Sequence, residues 1–136
     1  MTADPGVTEL RLVVTAADYD QALRFYRDVL GLREQAAFSS PGGRVTILEA
    51  GRATLEIADP PHAGYIDEVE VGQRVAGQIR VAFGVADSAS TTRTLAEAGA
   101  TVIAEPVRTP WNSLNSRLDA PGGLQLTLFS EIDGAT

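Results

Sequence analysis

The chain has 136 residues, the size of one domain and long enough to bury a core of its own. Its composition, 44% hydrophobic and 21% charged, is that of a soluble globular protein, and the lack of cysteine excludes disulfides and thiolate-bound metal. A formal net charge of −7 argues against nucleic acid, whose phosphates call for basic patches, and would steer a cationic partner inward.

The opening MTADPGVTEL has neither the basic region nor the apolar core of a secretory signal. No apolar run approaches the ~20 residues that span a bilayer, so a cytoplasmic protein without a membrane partner is expected. The first strand signal lies over 10–15, apolar and β-branched except for Arg11. Asp18 then reads as an N-cap, and Ala22, Phe25, Tyr26, Val29 and Leu30 follow at helical spacing up to a stop at Gly31. In this helix Phe25 and Tyr26 are expected to pack against the sheet. Strands are predicted over 34–39, 44–49 and 52–58, joined by the turns SSPGG and EAGRA.

The stretch DPPHAGYIDEVEVGQRVAG, with its prolines, glycines and acidic run, reads as a linker or extended arm, and Asp67, Glu68 and Glu70 as a solvated face. The order of elements then repeats. A strand covers 78–85 with Arg80 among apolar neighbours. Asp87 or Ser88 caps a helix through ASTTRTLAEAGA, and strands follow over 101–104, 113–119 and 124–129, with APGG as the last turn. A shift of 69 residues lays Arg11 on Arg80 and Asp18 on Asp87; a shift of 71 lays Leu55 on Leu126 and Glu56 on Thr127. The reading is an α+β domain of two βαβββ modules, over about 9–59 and 77–131, with a linker over about 60–76.

This layout, with FYRDVLGL after the first strand and APGGLQLTLF at the end, resembles the vicinal oxygen chelate superfamily over roughly 9–131. That superfamily includes glyoxalases, extradiol dioxygenases and bleomycin-resistance proteins. The resemblance implies a curled, cup-shaped mixed sheet with helices outside, a ligand in the cup, and a homodimer. In its metal-dependent members the first and last strands of each module supply the ligands. Those positions here are Arg11 and Glu56, then Arg80 (or Gln78 if the register slips by two) and Thr127. A guanidinium is a permanent cation with no acceptor, so Arg11 and Arg80 are not ligands; the only histidine, His62, lies outside the pattern. Neither a metal nor another cofactor is therefore expected.

Two uses of Arg11, Glu56 and Arg80 stay open: an ion-pair plug, or a grip on a carbonyl or carboxylate ligand. Trp111, with Asn112, Ser113 and Asn115 beside it, suits stacking on a flat molecule, and Phe38, His62 and Tyr65 are further candidates for the cup mouth. No phosphate loop, dinucleotide fingerprint or nucleophile elbow occurs. The resemblance to the bleomycin-resistance branch implies metal-free sequestration of an aromatic or hydrophobic natural-product antibiotic, such as a bleomycin, mitomycin or enediyne, for resistance or self-protection. The alternative is an enzyme of the same fold using Glu56: a metal-free, glyoxalase-like lyase or isomerase with Glu56 as its base, or a dioxygenase-type metal enzyme with an unusual ligand set.

Overall fold

The computed structural model describes residues 6–121 and 123–132. The first five residues, and Gly122 of the predicted APGG turn, lie outside that range. The chain runs β1 Val7–Thr15, α1 Tyr19–Leu23, β2 Glu34–Ser40, β3 Gly43–Ala50, β4 Ala53–Ala58 and α2 Pro60–Glu70. A second series follows, β5 Ile79–Val85, α3 Ser88–Glu97, β6 Thr101–Arg108, β7 Ser113–Ala120 and β8 Leu124–Glu131. All eight strands share one open sheet in the order β2-β3-β4-β1-β5-β8-β7-β6. Each predicted module supplies four adjacent strands, and the two meet edge to edge where β1 runs antiparallel to β5.

The register confirms the repeat. The shift of 69 carries the pair Arg11–Ala82 onto the pair Val13–Arg80, and both occur in the β1–β5 ladder. The shift of 71 for the last strands also holds. Leu12 pairs with Leu55 and Val13 with Glu56 in module one, while Val81 pairs with Leu126 and Ala82 with Thr127 in module two.

Asp18 caps α1 by accepting from the Gln21 amide at 3.0 Å. Tyr19 buries against Leu48 and Ile57, with Ala22, Leu23, Tyr26 and Leu55 around them. The helix continues as a π-helical segment, Arg24–Val29, in which the Leu30 amide reaches back to the Phe25 carbonyl. That wider turn breaks the 3.6-residue spacing assumed from sequence. Tyr26 packs as expected, but Phe25 is 56% exposed and meets Tyr26 only edge-on. In module two, α3 is held by hydroxyls instead. Ser88 Oγ donates to the Leu114 carbonyl at 2.8 Å, and Thr92 shares a 2.7 Å bond with Ser116.

The connection between the modules corrects the sequence reading. It is a helix, not an extended arm. Asp59 caps it through the His62 amide at 2.9 Å, and the two prolines occupy its first positions, where no backbone donor is needed. Ala63, Ile66, Asp67 and Glu70 form its buried face, at the i, i+3, i+4, i+7 spacing of an amphipathic helix. The helix packs on β3 at one side and on β6 and β7 at the other, and so crosses the concave face of the sheet. Asp67 and Glu70 are thus buried, contrary to their reading as a solvated face. Among the described residues no helix is long and apolar enough to cross a membrane.

Candidate functional site

Between the curled sheet and α2 lies a cavity of about 520 Å³, within the range of small-molecule sites. Its floor is set by the ladder. Residues paired in register share a face of the sheet, so Ile47, Glu56, Val13 and Arg80 form one row across β3, β4, β1 and β5. The twofold relation generates a second row, Arg117, Thr127, Ala82 and Arg11. Seven of these eight side chains line the cavity; Arg117 is roofed over by α2. The four positions singled out from sequence therefore share one cup, and Arg80 faces it. Gln78 does not; it borders a shallow groove beside α1.

Of the two uses left open by the sequence, the ion-pair plug is not formed among the described residues. Arg11 turns to Glu9, two residues away on the same face, through bonds of 2.8 and 3.3 Å, and its guanidinium lies 4.5 Å above the Phe129 ring. Arg80 donates to Thr127 Oγ1 at 2.8 Å and forms no ion pair among the described residues. Glu56 has neither an ion pair nor a hydrogen bond there. Burial pushes its carboxyl above the usual glutamate range, against the pull of Arg11 and Arg80. Burial likewise lowers the Arg80 guanidinium, which stays a cation.

Sequence reasoning missed the dense network at the other end of α2. Arg117 is fully buried and pairs with Asp67 at 2.7 Å and Glu70 at 2.7 Å. Glu70 also accepts from Thr127 at 2.9 Å and from Asn115 at 2.8 Å. Asp67 accepts from Arg74, Val75 and Ala76 at 2.8 to 2.9 Å. Burial alone would raise Asp67, but the donors from Ala76, Arg117, Arg74 and Val75 outweigh it and hold the carboxyl below its ordinary value. The available signal was the helical spacing of 63, 66, 67 and 70, masked by the Pro-Pro pair.

The aromatic candidates gather at the rim. Phe38, His62, Tyr65 and Trp111 all line the cavity, with ring centroids 6.2 Å apart for His62 and Tyr65 and 6.4 Å for Tyr65 and Trp111. Phe38 is 60% exposed and Trp111 45%. Asn112 is not with them. Its backbone is left-handed at φ 65°, and its side chain accepts from Arg108 at 2.9 Å, away from the cavity.

The residues do not suit a divalent metal. Of the four superfamily positions two are guanidinium groups, and the Thr127 hydroxyl already donates to Glu70. Among the described residues no three His, Cys, Asp or Glu side chains are grouped to hold an ion.

A family model described as the Glyoxalase/Bleomycin resistance protein/Dioxygenase superfamily matches residues 10–128. No curated protein matches the sequence. Among solved structures, methylmalonyl-CoA epimerase from Mycobacterium tuberculosis is similar at 22% identity and a TM-score of 0.69, covering 99% of this chain and 95% of that one. A variant of the Streptomyces coelicolor methylmalonyl-CoA epimerase, in complex with 2-nitronate-propionyl-CoA, is similar at 22% identity and a TM-score of 0.65, over 92% and 98%. A glyoxalase/bleomycin resistance protein/dioxygenase superfamily member from Vibrio splendidus 12B01 is similar at 12% identity and a TM-score of 0.62, over 91% and 98%. At such identities the likeness shows the fold alone.

Proposed function

This chain belongs to the glyoxalase/bleomycin resistance protein/dioxygenase superfamily, and on that premise we propose that its cup binds a small carbon acid and moves a proton at the carbon beside a carbonyl. The observation that carries this reading is the pair of unmatched opposite groups on one row of the floor. Glu56 and Arg80 flank Val13, two strand spacings or roughly 10 Å apart, and both line the cavity. A substrate between them offers its C–H to Glu56 and its carbonyl to Arg80. The C–H bond breaks, the proton goes to the carboxylate, and the electron pair moves onto the carbonyl oxygen, where the guanidinium donors stabilise it. A positioned base contributes about 10²- to 10⁴-fold, and loss of one oxyanion donor costs about 3 to 4 kcal/mol. The raised Glu56 pKa brings its proton affinity closer to that of a weak carbon acid.

Two of the similar structures are named as epimerases, and epimerisation beside a carbonyl is a proton transfer of this kind. The test is exchange of the C2 proton of methylmalonyl-CoA with D2O, followed by NMR. Glu56→Gln is expected to slow the exchange of one isomer about 100-fold or more; an unchanged rate for both isomers would sink the assignment.

A second reading is sequestration of an aromatic natural-product antibiotic, favoured by the exposed aromatic rim of Phe38, Tyr65 and Trp111. Under it, bleomycin-, mitomycin- or enediyne-type compounds stabilise the protein in a melt, and Glu56→Gln leaves binding intact.

A further inference from the structure

We propose that His62 is a second proton-transfer group, acting on the face of the bound carbon acid opposite Glu56, so that the substrates are chiral carbon acids inverted at the reacting carbon. The inference rests on the proton-transfer reading of Glu56.

Placement carries it. Glu56 rises from β4 on the floor of the cup, whereas His62 sits in the first turn of α2, the element that crosses the concave face. Both side chains line the same cavity, and a flat substrate lying between floor and cover presents one face to each. The backbone at His62 is held firmly. Its amide is bound to the Asp59 carboxylate at 2.9 Å. Gly43, at φ +130°, packs so closely that a Cβ there would come 2.3 Å from that amide nitrogen. The imidazole Nδ1 is buried with no hydrogen-bond partner among the described residues. His62 as a whole is half-buried, and a purely structural histidine would have its one buried ring nitrogen satisfied by protein. The groups around the ring are Asp59 at the cap, Tyr65 one turn on and Arg80 from the floor.

Protonation supports the geometry. Burial, reinforced by Arg80 and opposed by Asp59, holds His62 below its ordinary value, while burial raises Glu56. The two shifts bring the proton affinities of the groups closer together, so one proton held by the pair can rest on either, and one isomer meets the form with it on Glu56. Neutral His62 then takes the substrate proton from one face, and the electron pair moves to the carbonyl oxygen facing Arg80. The resulting enolate carbon takes the Glu56 proton on the other face. One C–H bond breaks and one forms, and the pair ends as carboxylate and imidazolium. The opposite isomer runs the same steps in reverse, with no co-reactant.

The experiment uses methylmalonyl-CoA and 2-phenylpropionyl-CoA, each as a single isomer, in D2O with the wild type, Glu56→Gln and His62→Gln. Loss of the C2 proton and inversion of configuration are both followed. The wild type is expected to invert a probe with uptake of deuterium. Each single variant is expected to lose inversion about 100-fold or more, yet still exchange the proton of one isomer, and the two variants spare opposite isomers. His62→Asn serves as a second variant, and a thermal melt checks that each is folded. Inversion by His62→Gln at the wild-type rate removes His62 from the chemistry while leaving Glu56 in place, whereas loss of exchange of both isomers in a folded His62→Gln overturns the division of the two faces between the groups. A wild type that exchanges neither probe overturns both assignments.

Discussion

Glu56 and Glu70 line the same cup and have been given opposite surroundings. Glu70 meets Arg117, Thr127 and Asn115 at 2.7 to 3.0 Å, whereas Glu56 is matched by none of them. Folding raises the Glu56 pKa, so its contribution to stability is complete below the ordinary glutamate range and is lost as pH rises through the raised value. Glu56→Gln, which cannot ionise, is therefore expected to melt above the wild type at pH 8, with the gap closing toward pH 4. A lower melting temperature at pH 8 would mean that Glu56 is paired after all. The resemblance placed Glu56 in the cup through the last-strand position of the superfamily pattern, but the reading overvalued the arginines. Proximity in the fold is not pairing, and each guanidinium had a nearer partner: Glu9 for Arg11 and Thr127 for Arg80.

At the scale of elements, α2 is secured to module two by charge. Replacing Arg117 with methionine keeps an unbranched side chain and removes a countercharge from two buried carboxylates, leaving Asp67 with Arg74 alone. Breaking such a set costs about 3 to 5 kcal/mol, read as a lower denaturant midpoint with an unchanged slope. Adding Asp67→Asn and Glu70→Gln is expected to restore part of the loss, because the three side chains act as one unit. An Arg117→Met variant as stable as the wild type would assign the hold on α2 to apolar packing alone. This helix was the least legible element. Its Pro-Pro start reads locally as a breaker, and only the cap by Asp59 turns it into a helix start. Ile47, the twofold counterpart of Arg117, shows why charge is needed at one end only: Ile47 faces the open cavity, while Arg117 lies under acidic side chains.

Across the whole molecule, the two modules enclose one cavity with a polar floor and an aromatic rim, a division suited to a flat ligand with a carbonyl or carboxylate. With 2-naphthoate as probe, at about 100 times its dissociation constant, stability should rise by ~2.7 kcal/mol. Trp111→Ala should weaken that binding by more than about 1 kcal/mol while the unliganded melt stays put. Equal affinity in the variant would take Trp111 out of the site.

What the amino-acid order determined by itself was the repeat: strand, helix and three strands twice over, with Arg11 matched to Arg80 and Glu56 to Thr127. Period, caps and turns are local properties, so they are written along the chain. The tertiary structure alone decided which charges meet. Arg117 lies 47 positions from Glu70 and 50 from Asp67, and no local pattern records a partner that distant. Whether a buried carboxylate is neutralised or left facing a cavity depends on such partners, and that difference separates Glu70 from Glu56.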